Sequence, residues 1–403
     1  MHGNGPVAVS LLEHSVPVCF FLQLAQNPRV VSNARLFRVL RTSSGVTVTV
    51  CRRAAFLALA TALASFGASA QTPAKVGFIY FGPVGDVGWT YQHDLGRKAL
   101  EQALGSKVAV RTVPNTLEGP DGERVARELV SDGSKVVFAV GFGYMKEVLR
   151  IAGENPDRCF ATASAYMTAS NAGAYNAKWH EGGYLAGIVA GKSSKTGNLG
   201  FVGAHLVPDV MWYLNAFALG ARSVNPNAKV RAVFVNSWSD PPKETDAAVA
   251  LISTGVDVLT HYTNSPAVVT AADSRGVQSI SFHSDMSKFA PKHYLTGVTH
   301  HWESYYTKVT SEALAGRCTG DRYFGGLKEG TVKLAPLSPR VPKDVAELVA
   351  AKASDIANER FRVFGGPIKD NTGTVRVQAG SHLADADLGK MNWFVDGIVT
   401  GQR

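Results

Sequence analysis

The segment Lys75–Leu104 decides the fold. It reads KVGFIYFG over 75–82 and GDVG over 85–88, and it ends in an amphipathic helical pattern over Tyr91–Leu104. A short apolar run, a glycine turn and then a helix form the repeating unit of a parallel sheet that helices cover on both faces. The unit recurs directly. The next apolar runs are KVAVRTVPN (107–115), KVVFAVG (135–141) and RCFATAS (158–164), and a second helical stretch spans Gly122–Ser131.

The same alternation starts again after Ala177. Its apolar runs are NLGFVGA (198–204), KVRAVFVN (229–236), VDVLTHYT (256–263) and SISFHS (279–284), with helical patterns around 181–193, 209–223, 243–254 and 266–274. Two such series predict an α/β protein of two doubly wound parallel-sheet lobes, joined by a multi-strand hinge. An eight-fold α/β barrel is the competing layout, but the alternation resets around 165–180 and is lost in the C-terminal third.

The C-terminal third mixes strand and helix patterns, including a hairpin whose turn is Asp370–Gly373. We expect these pieces to return to the first lobe. The predicted domains are a discontinuous lobe 1, of residues 74–178 plus about 300–403, and a lobe 2 of residues 179–299. A chain that crosses between lobes more than once forms a hinge, and the cleft between hinged lobes is a natural ligand site.

An export signal precedes the folded region. Residues 50–70 combine a basic pair, an apolar run and the small-x-small cleavage site Ala68-Ser69-Ala70. We expect cleavage before Gln71, and since this residue is not cysteine we expect the mature protein to be free in the periplasm, not lipid-anchored. Residues 1–49 are interpreted as an extension that results from a start codon placed too far upstream, with a genuine cytoplasmic extension as the alternative.

Composition and charge narrow the class of protein. The chain has 403 residues and a formal net charge of +9, of which residues 1–70, with six arginines and one glutamate, supply +5. The rest carries charges of both signs interspersed, without the basic surface that nucleic acids require. Nothing after the signal is apolar for long enough to span a membrane. Cys159 and Cys318 remain after export, and they either pair in an oxidising compartment or stay as two free thiols.

Ligands of open α/β sheets bind at the carboxyl ends of the strands, so the residues that follow each strand are the candidates for a site. The candidate ligand-binding residues are Phe81, Asp86, Trp89, Tyr144, Trp238, His261, Asn264, Ser265, Asp285 and His300. Taken singly, a residue of this kind after a strand is more often part of the core or the rim than a ligand contact. Together they supply aromatic rings and short polar groups with almost no Lys or Arg, which is typical of a site for a flat, uncharged heteroaromatic ligand.

Signals of catalysis, cofactors and metals are weak, and we expect no cofactor and no metal. The nearest phosphate-loop match, AGIVAGKS at 186–193, lacks its first glycine, and we interpret it as a helix end with a glycine cap. GFGYM lacks the third glycine of a dinucleotide fingerprint, and no GxSxG elbow occurs. His300 and His301 point to opposite faces of a strand and do not predict a metal site. A carboxylate pair such as Asp86 with Asp285 leaves a hydrolase open.

Four long motifs resemble the basic membrane protein family of ABC-transporter substrate-binding proteins, which includes the purine nucleoside receptors. They are KVGFIYFGPVGDVGWTYQHDLGRKAL, YNAKWHEGGYLAGIVAGKSSKTGNLGFV, VNSWSDPPKETDAAVALISTGVDVLTHYTNSPAVVTAA and GGLKEGTVKLAP. The resemblance covers residues 74–400 and implies a type I periplasmic-binding fold with three crossovers and the ligand between two lobes. It also implies a purine-type ligand, an ABC permease in the inner membrane as partner, and a monomer that does not itself span the membrane.

By position in these motifs, the resemblance implies roles for five residues. Trp89 and Trp238 stand where the family places aromatic rings that stack on the base. Asp285 stands where the nucleoside receptors contact the ribose hydroxyls, and Asn264 and Ser265 lie in the loop beside the base.

Two departures from the nucleoside receptors favour a free base such as adenine, or another flat heterocycle. Trp89-Thr90 replaces their Phe-Asn pair, and residues 298–302 hold no lysine where they carry one. We therefore expect a non-catalytic periplasmic receptor of an ABC importer that binds a purine base or nucleoside and delivers it to the permease. The alternatives are an exported nucleoside hydrolase, a binding protein for another flat heterocycle, and a sensory partner of a membrane kinase.

Overall fold

Two sheets organise the chain in the computed structural model, which describes residues 72–401. The expected extension and signal peptide lie outside the described residues. In chain order the strands are β1 (Ala74–Tyr80), β2 (Val108–Val113), β3 (Ser134–Val140), β4 (Cys159–Ala163), β5 (Ala172–Ala177), β6 (Asn198–Gly203), β7 (Lys229–Phe234), β8 (Val258–Tyr262), β9 (Gln278–His283), β10 (Tyr294–His300), β11 (Arg322–Gly325), β12 (Val332–Leu334), β13 (Ile368–Lys369), β14 (Val375–Val377) and β15 (Ile398–Thr400). The helices are α1 (Trp89–Leu104), α2 (Pro120–Ser131), α3 (Met145–Glu154), α4 (Trp179–Ser193), α5 (Pro208–Val224), α6 (Pro241–Ser253), α7 (Ala267–Ser274), α8 (Glu303–Leu314), α9 (Lys343–Ala357) and α10 (Asp385–Leu388).

The first sheet has six parallel strands in the order β11-β5-β4-β3-β1-β2. Helices cover both of its faces. Phe78 and Tyr80 of β1 pack in the same cluster as α1 and α8, whereas Ile79 packs with α2 and α3. Because both faces are buried, the strands read as continuous apolar runs and do not alternate.

The second sheet has seven strands in the order β12-β10-β9-β8-β6-β7-β15, of which only β12 runs antiparallel to its neighbour. Phe201 of β6 belongs to the cluster of α4 and α5, whereas Val202 packs with α6 and α7. Both sheets are therefore doubly wound. The predicted α/β class with two parallel-sheet lobes is confirmed, and the barrel is excluded.

The chain passes between the sheets three times: from β5 to β6, from β10 to β11, and from β11 to β12. We expected residues from about 300 onward to return to lobe 1. Of the strands in that segment, β11 joins the first sheet, but β12 and β15 join the second. They cover its two edges, β10 and β7, which would otherwise expose unpaired backbone groups. The C-terminal third is thus divided between the lobes.

Helices α4 and α5 pack in unusually close contact through glycines. A Cβ at Gly187 would lie 2.1 Å from the carbonyl oxygen of Phe217, and one at Gly191 would lie 2.5 Å from that of Ala221. The motif AGIVAGKS was interpreted as a helix end with a glycine cap. Since α4 continues to Ser193, Gly191 lies inside the helix and serves this contact.

No helix within residues 72–401 has the length and hydropathy needed to cross a membrane.

A disulfide links the C-terminal third to the first sheet. Cys159 at the start of β4 forms a disulfide with Cys318, which lies between α8 and β11. This settles the pairing that the sequence left open. Strands β13 and β14 form the predicted antiparallel hairpin, with the backbone N–H of Gly373 donating to the carbonyl of Asp370 at 2.9 Å.

Candidate ligand-binding site

A cavity of about 550 Å³ lies where the carboxyl ends of the strands of both lobes meet. Its lining comes from the loops after β1, β2, β3, β4, β7 and β8, from the last residue of β9, from the starts of α1 and α5, from β5 and β11, and from α10. Nine aromatic rings line it: Phe81, Trp89, Phe142, Tyr166, Trp212, Trp238, Tyr262, Tyr323 and Phe324. A concave site that combines aromatic rings with polar groups is a form that small-molecule sites take.

Trp89 is the first residue of α1, and its polar edge is used by the protein. The indole Nε1–H donates to the carbonyl oxygen of Val140 at 3.3 Å. Its ring packs against His93, with centroids 4.2 Å apart. The preceding Gly88 has a φ of 90°, and a Cβ there would lie 2.4 Å from the carbonyl oxygen of Asn264 in the opposite lobe. The glycine therefore allows the two loops to approach each other.

Trp238 follows β7 and is partly buried. Its ring meets that of His205 edge-on, with centroids 4.9 Å apart, and its carbonyl accepts a hydrogen bond from the backbone N–H of Asn264 at 2.9 Å. That bond ties the loop after β7 to the loop after β8. The side-chain Oδ1 of Asn264 is buried without a hydrogen-bond partner in the described part of the chain, and the residue itself lines the cavity.

The start of α5 supplies two polar groups that the sequence reasoning did not select, Asp209 and Trp212. Asp209 accepts a hydrogen bond from Asn176 Nδ2 at 3.0 Å, and burial raises the pKa of its carboxyl to about 6. The indole Nε1 of Trp212 is buried and has no partner within residues 72–401. The signal was present: the segment HLVPDVMW follows the apolar run of β6, just as the selected loops follow their strands.

Charged groups stand at the edge of the cavity. Glu118, Arg322 and Asp385 line it, and all three are exposed. Arg322 is an exception to the expected scarcity of basic groups. Asp385 belongs to α10 and forms an ion pair with Lys178, at 3.1 Å, beside the first crossing between the lobes.

Four of the ten expected site residues line the cavity: Phe81, Trp89, Trp238 and Asn264. The other six, Asp86, Tyr144, His261, Ser265, Asp285 and His300, lie outside its lining. The structure gives each of these six a contact elsewhere.

Ser265 and His261 support the loop after β8. Ser265 Oγ donates to Glu244 Oε2 at 2.5 Å, and Thr263 Oγ1 donates to the same oxygen at 2.8 Å. His261 Nδ1 lies 3.1 Å from Thr263 Oγ1. His261 precedes Tyr262 on the strand and points to the other face, so Tyr262 lines the cavity and His261 does not.

Asp86 and Asp285 are both exposed. Asp86 pairs with Lys288 of the opposite lobe at 2.5 Å, and this ammonium lowers the pKa of the carboxyl. Asp285 accepts a hydrogen bond from the backbone N–H of Ser287 at 2.9 Å, in its own turn. The two carboxylates therefore have separate structural contacts.

Tyr144 and His300 are buried. Tyr144 donates its hydroxyl to the carbonyl of Thr116 at 2.5 Å. His300 Nε2 lies 3.1 Å from His283 Nδ1, whereas the neighbouring His301 turns toward Thr299 at 3.0 Å. Within residues 72–401 no three His, Cys, Asp or Glu side chains converge as a metal site.

Comparison with known proteins identifies the family. The model of the family described as "ABC transporter substrate-binding protein PnrA-like" matches residues 74–364. The chain belongs to this family. Its members are binding proteins and not enzymes, and this chain is accordingly an extracytoplasmic substrate-binding protein of the ABC type.

Individual relatives are similar over most of this substrate-binding protein. It is 43% identical over 331 residues to a purine-binding protein of Brucella abortus (strain 2308), covering 82% of this chain and 94% of the relative. It is 33% identical to a candidate ABC transporter glucose-binding protein of Haloferax volcanii, covering 74% and 76%. Among solved structures, an ABC transporter solute-binding protein from Conexibacter woesei superposes with a TM-score of 0.61 at 22% identity, covering 72% and 98%. The structural neighbours of this chain have the type I periplasmic-binding fold.

Proposed function

We propose that this substrate-binding protein acts in the periplasm, where it binds a purine base of adenine-like hydrogen-bonding pattern in the interlobe cavity and delivers it to an ABC permease. One observation carries the proposal: nine aromatic rings line a cavity together with Trp212 and Asn264, whose buried Nε1 and Oδ1 atoms have no hydrogen-bond partner among residues 72–401. Buried polar groups without partners are rare in native proteins. Their place in this cavity favours a ligand that supplies the missing partners.

A purine base has both features that this lining requires. Its two flat faces stack on aromatic rings, at about 1–3 kcal/mol per base. Its ring nitrogens accept a hydrogen bond from the Trp212 indole, and an exocyclic amine donates one to Asn264 Oδ1. Asp209 supplies a second acceptor beside Trp212. Each such bond removes a desolvation penalty of about 1–3 kcal/mol that an unpaired buried group otherwise carries.

A hexose suits this lining less well. A sugar ring carries hydroxyl groups around its whole edge and needs many polar partners, whereas nine of the 25 residues that line this cavity are aromatic and three of its charged residues are exposed at the edge. The relative named for purine binding is also more similar to this chain, at 43% identity, than the one named for glucose, at 33%. The cavity volume of about 550 Å³ leaves room for a ribose, so base and nucleoside are both ligands to test.

Contacts between the lobes support capture of the ligand by closure. The backbone N–H of Gly88, after β1, donates to Ser284 Oγ, after β9, at 3.0 Å. The Asp86–Lys288 pair joins the same two loops. A ligand that contacts both lobes binds the closed form more tightly and so shifts the equilibrium toward it. The closed monomer, exported by the segment 50–70, would then be the form that the permease recognises.

Mass spectrometry of the small molecules released when freshly purified protein is denatured tests this function directly. We expect a purine base or nucleoside in about equimolar amount with the protein. A released hexose, with no purine raising the melting temperature of the protein, would contradict the proposal. As a control against a hydrolase, incubation with nucleosides should return them intact.

A further inference from the structure

A buried chain of hydrogen bonds runs from the hinge to the cavity through Trp302, His300 and His283. Trp302 Nε1 lies 2.5 Å from His300 Nδ1, and His300 Nε2 lies 3.1 Å from His283 Nδ1. Trp302 is 0% exposed, His300 1% and His283 2%. Because these side chains are almost fully buried, their hydrogen-bond partners must be neighbouring protein groups or a bound ligand.

The direction of every bond in this chain follows from its first member. An indole N–H can only donate, so His300 Nδ1 accepts. A neutral imidazole has one donor and one acceptor, so His300 carries its proton on Nε2 and donates it to His283 Nδ1. By the same rule, His283 carries its own proton on Nε2.

Both imidazoles are held in the neutral form. Burial lowers the pKa of His300 and of His283 well below the usual value, and neighbouring imidazoles lower them further. No carboxylate within residues 72–401 forms a hydrogen bond or an ion pair with either ring. Without such a partner there is nothing to stabilise an imidazolium at this depth.

The last donor of the chain lies at the wall of the ligand cavity. His283 lines it at the end of β9, and its Nε2 makes no hydrogen bond to any residue within 72–401. The residue has a φ of 71°, an unusual value for a side chain other than glycine. Such backbone strain is concentrated at functional sites. The ring also meets Trp89 edge-on, with centroids 5.7 Å apart.

We infer that His283 is a specificity-determining residue that donates a hydrogen bond from Nε2–H to an acceptor on the ligand, and that His300 and Trp302 are positioning residues that fix its tautomer. The identity of the acceptor as a purine ring nitrogen rests on the proposed function. The tautomer does not, because it follows from the protein alone. The cavity then presents two fixed donors, His283 and Trp212, and the acceptor Asn264 Oδ1, which excludes ligands whose edge has no acceptor.

Long-range ¹⁵N–¹H correlation spectra of ligand-free protein with labelled histidine test the tautomer. We expect the Nε2–H form for both His283 and His300. Trp302→Phe keeps a ring but removes the donor, and it should let His300 and then His283 populate the other tautomer. Tyr306→Phe is the matched control. The Tyr306 hydroxyl lies in the same buried region but bonds to His93, at 2.6 Å, and not to Trp302, His300 or His283. Wild-type His283 in the Nδ1–H form would overturn the inference.

Calorimetric titration tests the donation to the ligand. His283→Phe keeps an aromatic ring without its nitrogens and should weaken adenine binding by about tenfold. One of the deaza-adenines, which replace a ring nitrogen by C–H, should bind wild type and variant with equal affinity, because it lacks the acceptor that faces His283. If the variant binds adenine as tightly as wild type does, or if every deaza-adenine shows the full tenfold difference, the inference fails. If no purine binds wild type while the tautomer is as expected, the proposed function fails instead.

Discussion

Trp89 and Trp212 occupy similar places in the two lobes but differ in what their indole N–H groups meet. Each lies near the start of the helix that follows the first strand of its lobe, and each lines the cavity. The N–H of Trp89 is bound to the Val140 carbonyl, whereas that of Trp212 is buried without a partner among residues 72–401. We infer from this difference that Trp89 contributes a fixed apolar wall, whereas Trp212 offers a donor to the proposed ligand.

The loops that precede Trp89 and Trp212 also differ in what they contribute to the cavity. Gly88 precedes Trp89 and lets the loop approach Asn264 of the other lobe. Pro208 and Asp209 begin α5 ahead of Trp212 and add a carboxyl group to the cavity wall. One lobe therefore uses its first loop mainly for closure, and the other uses it for polar contacts.

Trp89→Ala should reduce both ligand affinity and stability more than any other change considered. It removes a ring that lines the cavity and also packs against neighbouring side chains. The ring packs against His93, His283 and His300, and loss of a packed tryptophan costs about 3 kcal/mol of unfolding free energy. We expect a lower melting temperature and about hundredfold weaker purine binding, because stacking is lost and the surrounding rings rearrange. Calorimetry and thermal denaturation measure both. A variant of normal stability and affinity would remove Trp89 from the site.

Trp238→Ala should weaken binding at least about tenfold, by loss of stacking, with little change in stability. Its ring is partly buried and meets only His205 edge-on among the aromatic side chains within residues 72–401. Trp238→Phe is the control and should restore most of the affinity. Unchanged affinity of the alanine variant in a calorimetric titration would show that Trp238 does not contact the ligand.

The variants Trp212→Phe and Trp89→Phe together test whether the two indole N–H groups have different roles. Trp212→Phe removes a donor that has no partner within residues 72–401, so we expect about tenfold weaker binding and no loss of stability. Trp89→Phe leaves the Val140 carbonyl unpaired, so we expect lower stability, by about 1 kcal/mol, and less than about threefold weaker binding. The opposite assignment of the two effects would refute the distinction between wall and donor.

Asp86→Asn should have the smallest effect. It removes an exposed pair with Lys288 between the lobes, and such pairs contribute little and are screened by salt. We expect at most about threefold weaker binding at low salt and no difference at high salt. Asp285→Asn, at the residue directly after the loop contact at Ser284, is the matched control with no expected effect. A larger loss for Asp285→Asn than for Asp86→Asn would place Asp285 at the ligand.

The two-lobed fold was predictable because strands buried on both faces give apolar runs that are visible without knowledge of their partners. The placement of β12 and β15 was not, since each has three residues and forms only where an existing sheet edge pairs with it. Local pattern carries no information about that edge.

The rule that ligands bind at the carboxyl ends of the strands identified loops that line the cavity, but it could not predict the direction of each side chain. His261 was selected although its neighbour Tyr262 is the residue that lines the cavity. Trp212 was missed because the loop after β6 was not among those considered. The hydrogen-bond chain from Trp302 to His283 joins β10 to β9 across the sheet, and no spacing in the sequence predicts its 2.5 Å and 3.1 Å bonds.

The most direct test of the account is a calorimetric titration of ligand-free protein with adenine, adenosine and glucose. The account predicts saturable one-to-one binding of adenine or adenosine and no binding of glucose. Saturable binding of glucose, with no heat from either purine compound, would contradict it.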